Sequence, residues 1–401
     1  MKLVPTEEQS RICDEAFDWY YNQPNEQVFQ VSGGPGTGKS TLMNMIVDRL
    51  AVPRHKIIPM SYIGSASLNM RLKGLTNAKT MHSWIYTPAN IFETDTMGNI
   101  VLNDYINRPQ ITQSFVKKKL DGDYSLVIFD EGGSCPSKHR KDILDLGLKI
   151  MVFGDIDQIP PVNDTPAFLY DGKIHRLTQI MRQNLNSSIV KLSRRALQGL
   201  PIHKGFYGDV LVIDYEDLTD DMIMGSDVVI CGRNATRDDI NNRVRKNILG
   251  INSEIPVYGE RMVCRQNNWL IESDGINLVN GLTGIVSNYP DISCFDGKSF
   301  KIDFLPNLGY VPFTGIPINY EYLISPYETR RMLKNSKFYN GELFEYAYAI
   351  TAHCAQGSEY QNGIYIEEYM NPKEQNNINY VGISRFKQSC IYVRKYNKRF
   401  F

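Results

Sequence analysis

At 401 residues the chain has room for two or three domains, and its 42% hydrophobic content is enough for sizeable cores, which excludes a largely disordered polypeptide. Lys and Arg together number 44, as do Asp and Glu, so a net charge of zero excludes a globally basic nucleic-acid coat; local grooves and stacking surfaces stay open as a binding mode. No apolar run approaches the ~20 residues that span a bilayer, the acidic Glu7-Glu8 argues against a signal peptide, and the seven cysteines lie singly with no C-x-x-C pair. A cytoplasmic chain with reduced thiols and no membrane, zinc or disulfide framework is expected.

The first helix is expected to start at Thr6, because Thr6-Glu7-Glu8-Gln9 has the form of a capping box. Val28–Val31 reads as a short buried strand, and Leu42, Met45, Ile46 and Leu50 recur at helical spacing up to Pro53. Further strands are expected at Lys56–Met60, Leu126–Phe129 and Ile150–Phe153. Strands alternating with helical patterns predict an α/β fold with a parallel sheet. The stretch Thr87–Lys119 breaks this rhythm: Ile91–Asp95 and Asn99–Asn103 flank Thr96-Met97-Gly98 like the arms of a β-hairpin, and Lys117-Lys118-Lys119 reads as a solvated helix face. A second α/β unit begins near Leu177, with a strand at Asp227–Cys231 and a polar helix over Thr236–Ile248. Asn280-Gly281 is a hairpin signal between Ile276–Val279 and Leu282–Val286. From Ser287 to about Gly341 a Pro-, Gly- and Tyr-rich stretch suggests a small β-rich insert, after which Tyr346–Ile350, Gly363–Ile366 and Cys390–Val393 supply more strands of the second unit.

The strongest chemical signal is Gly33-Gly34-Pro35-Gly36-Thr37-Gly38-Lys39-Ser40-Thr41, a phosphate loop placed between a strand and a helix. Its glycines let backbone N–H groups wrap a polyphosphate, and the helix N-terminus adds partial positive charge. Lys39 is expected to neutralise the β- and γ-phosphates of ATP, and Ser40 to ligate Mg²⁺. The apolar strand ending in Asp130-Glu131 is the matching half: Asp130 beside the metal, Glu131 activating water as general base. Together they read as a nucleoside triphosphatase. Gln158, just past the strand ending at Phe153, is placed to report loss of the γ-phosphate. Arg182 and Arg385, far downstream, are the expected arginine fingers at a domain interface.

The ordered set resembles a superfamily 1 helicase: Gln9, the phosphate loop, Thr80-Met81-His82-Ser83, Asp130-Glu131, Gly154-Asp155 with Gln158, Arg182-Gln183, Thr351-x-His353-x-x-Gln356-Gly357-x-Glu359 and Ser384-Arg385. Within that superfamily the T-x-H-S and T-x-H-x-x-Q-G segments are similar to the RecD-like branch, and the size to its compact Dda-type phage helicases. The resemblance implies two RecA-like lobes with ATP between them, taken as 1–86 with 121–175 and 176–286 with 345–401. It also implies a pin at 87–120 and a small β-barrel at 287–344. It further implies 5′→3′ movement on single-stranded DNA and unwinding of forked DNA by a monomer, in replication or repair, with a single-strand-binding or replisome protein as a possible partner. Carried over by residue, Gln9 recognises adenine, Gly357 belongs to the nucleotide site, Glu359 holds the ribose there or couples the domains, and Ser61, Tyr62, Thr80, His82, Thr351 and His353 contact DNA. Three departures stand out: Cys354 replaces the usual lysine, Gly132-Gly133 follows the acidic pair, and Ser384 replaces threonine. A protein-stripping translocase with little unwinding, an ATP-gated binding module and an RNA helicase stay open as alternatives.

Overall fold

The computed structural model describes residues 5–92, 97, 111–161, 163–181, 187–274, 276–293, 295, 297–307, 309, 311–335 and 341–394. The chain divides into two units, one of Met1–Thr80, Gly122–Asn252 and Ala347–Phe401, the other of Met81–Asp121 and Ser253–Tyr346.

The first unit holds two RecA-like lobes, each built on a six-stranded sheet. In the first lobe the strand order is Lys79–Thr80, Ile57–Ser61, Leu126–Asp130, Lys149–Gly154, Val28–Gly33, Ile174–Leu177, with every pairing parallel. Strands covered on both faces need apolar side chains at successive positions, which is why they read as continuous apolar runs. Accordingly Leu126–Phe129 and Ile150–Phe153 are all fully buried. The helix Glu7–Asn22 starts at the expected capping box: Gln9 N donates to Thr6 Oγ1 at 3.2 Å, and Thr6 N donates to Gln9 Oε1 at 3.1 Å. Its apolar face (Ile12, Ala16, Trp19) joins Leu42, Ile46 and Leu50 of the helix Lys39–Leu50 in one core with Phe29, Val31 and Phe153. Each such fully buried large side chain contributes about 1.5–3 kcal/mol.

The second lobe orders its strands Ala349–Thr351, Val228–Cys231, Tyr360–Glu367, Phe386–Arg394, Val210–Asp214, Gly205–Tyr207, parallel except for the last, an antiparallel edge. Its core gathers Val229, Ile240, Val244, Ile364, Ile366 and Val393. The helix expected over Thr236–Ile248 runs as Asn234–Asn242 and continues as a π-helical segment, Arg243–Ile248.

The second unit is β-rich. Its antiparallel sheet runs Phe313–Asn319, Ser299–Pro306, Thr283–Val286, Arg261–Cys264, Phe344–Tyr346, so it draws strands from both sides of the boundary expected at 287. The Asn280-Gly281 turn exists, with Gly281 at φ 85° and Leu282 N donating to Val279 O at 3.1 Å. It does not close a hairpin, however: Ile276–Leu278 pairs with Asn268–Ser273, whereas Thr283–Val286 pairs in the five-stranded sheet. The chain changes sheets at this turn. In the same unit Tyr86–Phe92 and Ile111–Lys117 form a two-stranded antiparallel ribbon. Met97 is exposed, and the second hairpin arm expected at Asn99–Asn103 lies outside the described residues. Lys117 ends a strand rather than lying on a helix face; it and Lys118 and Lys119 are solvated. Among the described residues no helix is long and apolar enough to cross a membrane.

Candidate active site

The strand Val28–Gly33 runs into the phosphate loop, and the helix Lys39–Leu50 leaves it. Gly36 and Gly38 have φ of 74° and 81°, a left-handed conformation that favours glycine. Gly38 also marks a close approach, because a Cβ there would lie 2.8 Å from Gln9 Nε2. Lys39 Nζ donates to the Gly33 and Gly34 carbonyls, which holds the ammonium over the loop.

The acidic pair ends the strand Leu126–Asp130, two strands away in the sheet. Glu131 N donates to Asp130 Oδ1 at 3.0 Å, and Glu131 sits at φ 54°, ψ 40°, a strained backbone for a side-chain-bearing residue. Burial pushes both carboxyls up, Glu131 further through the Asp130 charge, while Lys39 pulls each back down and Arg385 also pulls down Glu131. A carboxylate with raised proton affinity is a better base for water. The Gly132-Gly133 departure has a packing cause: a Cβ at Gly132 would lie 2.3 Å from Val152 Cγ1.

The next strand ends in Gly154-Asp155. Asp155 is buried and accepts from Asp157 N at 3.0 Å and from the Tyr380 hydroxyl at 2.5 Å. Gln158 is buried nearby, and its Oε1 has no hydrogen-bond partner among the described residues.

The second lobe closes the site. Tyr380, Ser384 and Arg385 come from or follow the helix Pro372–Ile383. Burial first, then the Asp155 carboxylate, push the Tyr380 hydroxyl far above its ordinary value, and its oxygen lies 2.9 Å from where a Cβ on Gly34 would be. Arg385 is buried, with Nε donating to Val381 O at 3.2 Å and Nη2 to Ser384 Oγ at 3.1 Å. The serine in place of threonine thus still orients the arginine. Asn377 Nδ2 donates to Asp157 O at 2.7 Å, and Gln356 Nε2 to Ile159 O at 3.0 Å.

Gly357 brings the lobes into van der Waals contact. It has φ 75°, a Cβ there would lie 3.0 Å from both Ile63 Cγ2 and Ser65 Oγ, and its carbonyl accepts from Asn69 Nδ2 at 2.7 Å. Gly357→Ala combines left-handed strain with overpacking, so it is expected to lower the unfolding free energy by about 1–3 kcal/mol. Urea unfolding checks this; an unchanged midpoint would mean that the loop moves aside freely.

Lys39, Ser40, Asp130, Glu131, Gln158, Gly357, Glu359 and Arg385, with Gly34, Pro35, Gly36, Gly38 and Thr41 of the loop, all line one cavity of about 1460 Å³. Thr37 is buried within the loop, its Oγ1 donating to Gly34 O at 2.8 Å. Gln9 lies behind the loop, buried, with its Nε2 3.7 Å from Met181 Sδ. Arg182 lies outside the described residues. The residues expected to meet DNA do not line this cavity. Ser61 is fully buried and caps the next turn by accepting from Ile63 N at 3.2 Å. Tyr62 is half-buried against His139, ring centroids 5.7 Å apart, and burial raises its hydroxyl pKa. Thr80 is buried; Thr351 is buried and accepts from Cys354 N at 3.4 Å as a helix N-cap; His353 is exposed. In the other unit His82 packs on Tyr86 and Phe115, centroids 5.5 and 5.8 Å away. Lys73, Lys387, Asn377 and Tyr380 were not singled out from the sequence. Tyr380 had a signal, since it precedes Ser384 by one helical turn.

A phosphate loop, a strand-end acidic pair and an arginine from the second lobe meet in one cavity, the arrangement of a two-lobed P-loop fold. Residues 8–207 match the AAA domain family. Over 177 residues the chain is 28% identical to Uncharacterized protein MJ1519 of Methanocaldococcus jannaschii, a match covering 42% of this chain and only 14% of that protein's length. It is similar to Pif1 helicase from Bacteroides in complex with ADP-AlF3 and single-stranded DNA: 16% identity, 98% of this chain and 92% of that one covered, TM-score 0.53. A chain from a structure of DNA unwinding at forked duplex DNA by two coordinating Pif1 helicases gives 17% identity, 97% and 92% coverage, and a TM-score of 0.54. The chain thus carries an AAA-domain match over residues 8–207 and shares its overall fold with these Pif1 helicase structures.

Proposed function

We propose that this chain is an ATP-hydrolysing DNA helicase that moves 5′→3′ on single-stranded DNA and unwinds forked duplex. The observation that carries this reading is the single cavity walled by both lobes, with Lys39, Asp130 and Glu131 on one side and Glu359 and Arg385 on the other. A ligand gripped from both sides draws the lobes together, and cutting it releases them. Glu131 takes a proton from the attacking water; Lys39 and Arg385 neutralise charge on the transferred phosphoryl group; Gln158, with its bare Oε1, reads the γ-phosphate. Gln9 and the adjoining turn are the adenine side of the site.

Ser40 and Asp130 would hold Mg²⁺. One hydroxyl and one carboxylate on a shared wall, with phosphate and water completing the shell, suit this hard cation better than an all-protein cage. When bound, it supplies positive charge across the β- and γ-phosphate oxygens. The ribbon Tyr86–Phe92 with Ile111–Lys117 acts as the pin, and Thr80 with His82 and Thr351 with His353 form the two DNA grips. A nucleotide-to-DNA coupling of about 1–3 kcal/mol is enough to alternate them.

Unwinding of paired duplexes carrying either a 5′ or a 3′ single-stranded tail tests this. Only the 5′-tailed duplex is expected to open, with hydrolysis stimulated by single strands. Opening of the 3′-tailed one reverses the polarity, and stimulated hydrolysis with neither opened favours a stripping translocase.

A further inference from the structure

We propose that Lys73 is a phosphate-binding residue that distinguishes a nucleoside triphosphate from a diphosphate, and that it links this recognition to the second lobe through Glu359. The proposal rests on the nucleotide reading of the cavity given above.

Lys73 ends the helix Gly64–Leu72. Its backbone is fixed on two sides: its N–H donates to Asn69 O at 3.1 Å, and its carbonyl accepts from Asn44 Nδ2 at 3.4 Å. Asn44 lies on the helix Lys39–Leu50, which also carries Ser40, so Lys73 is anchored to the same element as the phosphate loop. Lys73 Nζ donates to Ser40 Oγ at 3.0 Å and lies 3.9 Å from Glu359 Oε1. Lys73, Ser40, Glu359 and Lys387 all line the cavity. The hydroxyl of a phosphate-loop serine is the group that would hold Mg²⁺, beside the β- and γ-phosphates that the neighbouring lysine reaches. An ammonium one hydrogen bond from it therefore stands at the terminal end of a bound triphosphate.

The bland alternative is that Lys73 serves only as an ion-pair partner for Glu359. The distances weigh against it. Glu359 Oε2 already has Lys387 Nζ at 2.6 Å, whereas Lys73 stands at the outer limit of ion pairing with side-chain exposures of 42% and 39%. Such a long, half-exposed pair is screened by water and does not by itself fix where the ammonium sits. Burial raises the Glu359 carboxyl, but Lys73 and then Lys387 and Arg385 bring it below its ordinary value, so Glu359 stays charged and keeps the lysines oriented toward the cavity. A triphosphate offers Lys73 a better anion than a half-exposed carboxylate does, with the contact passed across the lobes through Glu359. Lys73 is thus assigned to the γ-phosphate, the group that a diphosphate lacks.

Binding of fluorescently labelled ADP and of a labelled non-hydrolysable ATP analogue to the full chain tests this, with Lys39→Ala as reference. Lys73→Ala is expected to weaken the ATP analogue about 10- to 100-fold, the worth of one hydrogen bond to a charged group, and to shift ADP less than about twofold. Lys73→Arg, which keeps the charge, should recover much of the loss. Equal weakening of both nucleotides, or of neither, would overturn the proposal. If Lys39→Ala also binds both nucleotides like the parent, the nucleotide reading fails first, and the result is distinct.

Discussion

Lys39→Ala is expected to abolish DNA-stimulated ATP hydrolysis while leaving nucleotide-free binding to single-stranded DNA in place. The ammonium lies over the loop through the Gly33 and Gly34 carbonyls, and both Asp130 and Glu131 feel its charge. Its removal takes a cation from the transferred phosphoryl group and so leaves the charge that develops there without its partner. Losing one such electrostatic contact costs roughly 10²–10³-fold in kcat. Neither Thr80, Thr351 nor His353 lines the cavity, so strand binding without nucleotide survives. Phosphate release with and without DNA is the measurement, and equal turnover in variant and parent would contradict the assignment.

Arg385→Ala is expected to keep nucleotide binding but to lose hydrolysis by roughly 10³–10⁵-fold, the range for an arginine finger. The guanidinium is oriented from its own lobe by Val381 O and Ser384 Oγ and has no phosphate-loop residue among these partners, so it contributes little to holding the loop. Its charge reaches Glu131, which places it beside the reacting end of the nucleotide. Single-turnover hydrolysis alongside equilibrium binding separates the two effects. Loss of nucleotide binding would instead assign Arg385 to the structure of the cleft.

Much of this site was legible in the residues. The phosphate loop, Asp130-Glu131, Gln158 and Arg385 converge as expected, because each sits at or just beyond the end of a buried strand or on the helix beside it, and apolar runs flanked by glycine and acids are easy to read. The partnership of Tyr380 with Asp155 was not legible, since it joins residues 225 positions apart across two lobes. Lys73 was hidden for a related reason: only the fold brings the end of its helix to Ser40. The Asn280-Gly281 turn misled because a turn sequence fixes a reversal of direction, not which sheet receives the next strand. The basic run at Lys117–Lys119 has no period of its own, and pairing with Tyr86 and its neighbours decided that Lys117 is strand.

The buried hydroxyl of Tyr380 lies 2.5 Å from the Asp155 carboxylate, at the roof of the phosphate loop. Stripping a buried acceptor of its donor costs about 1–3 kcal/mol unless water replaces it. The two lobes therefore cannot drift apart by small degrees at this point: both groups must be wetted in the same event. Opening is thereby a solvent-entry step with a threshold rather than a graded loosening.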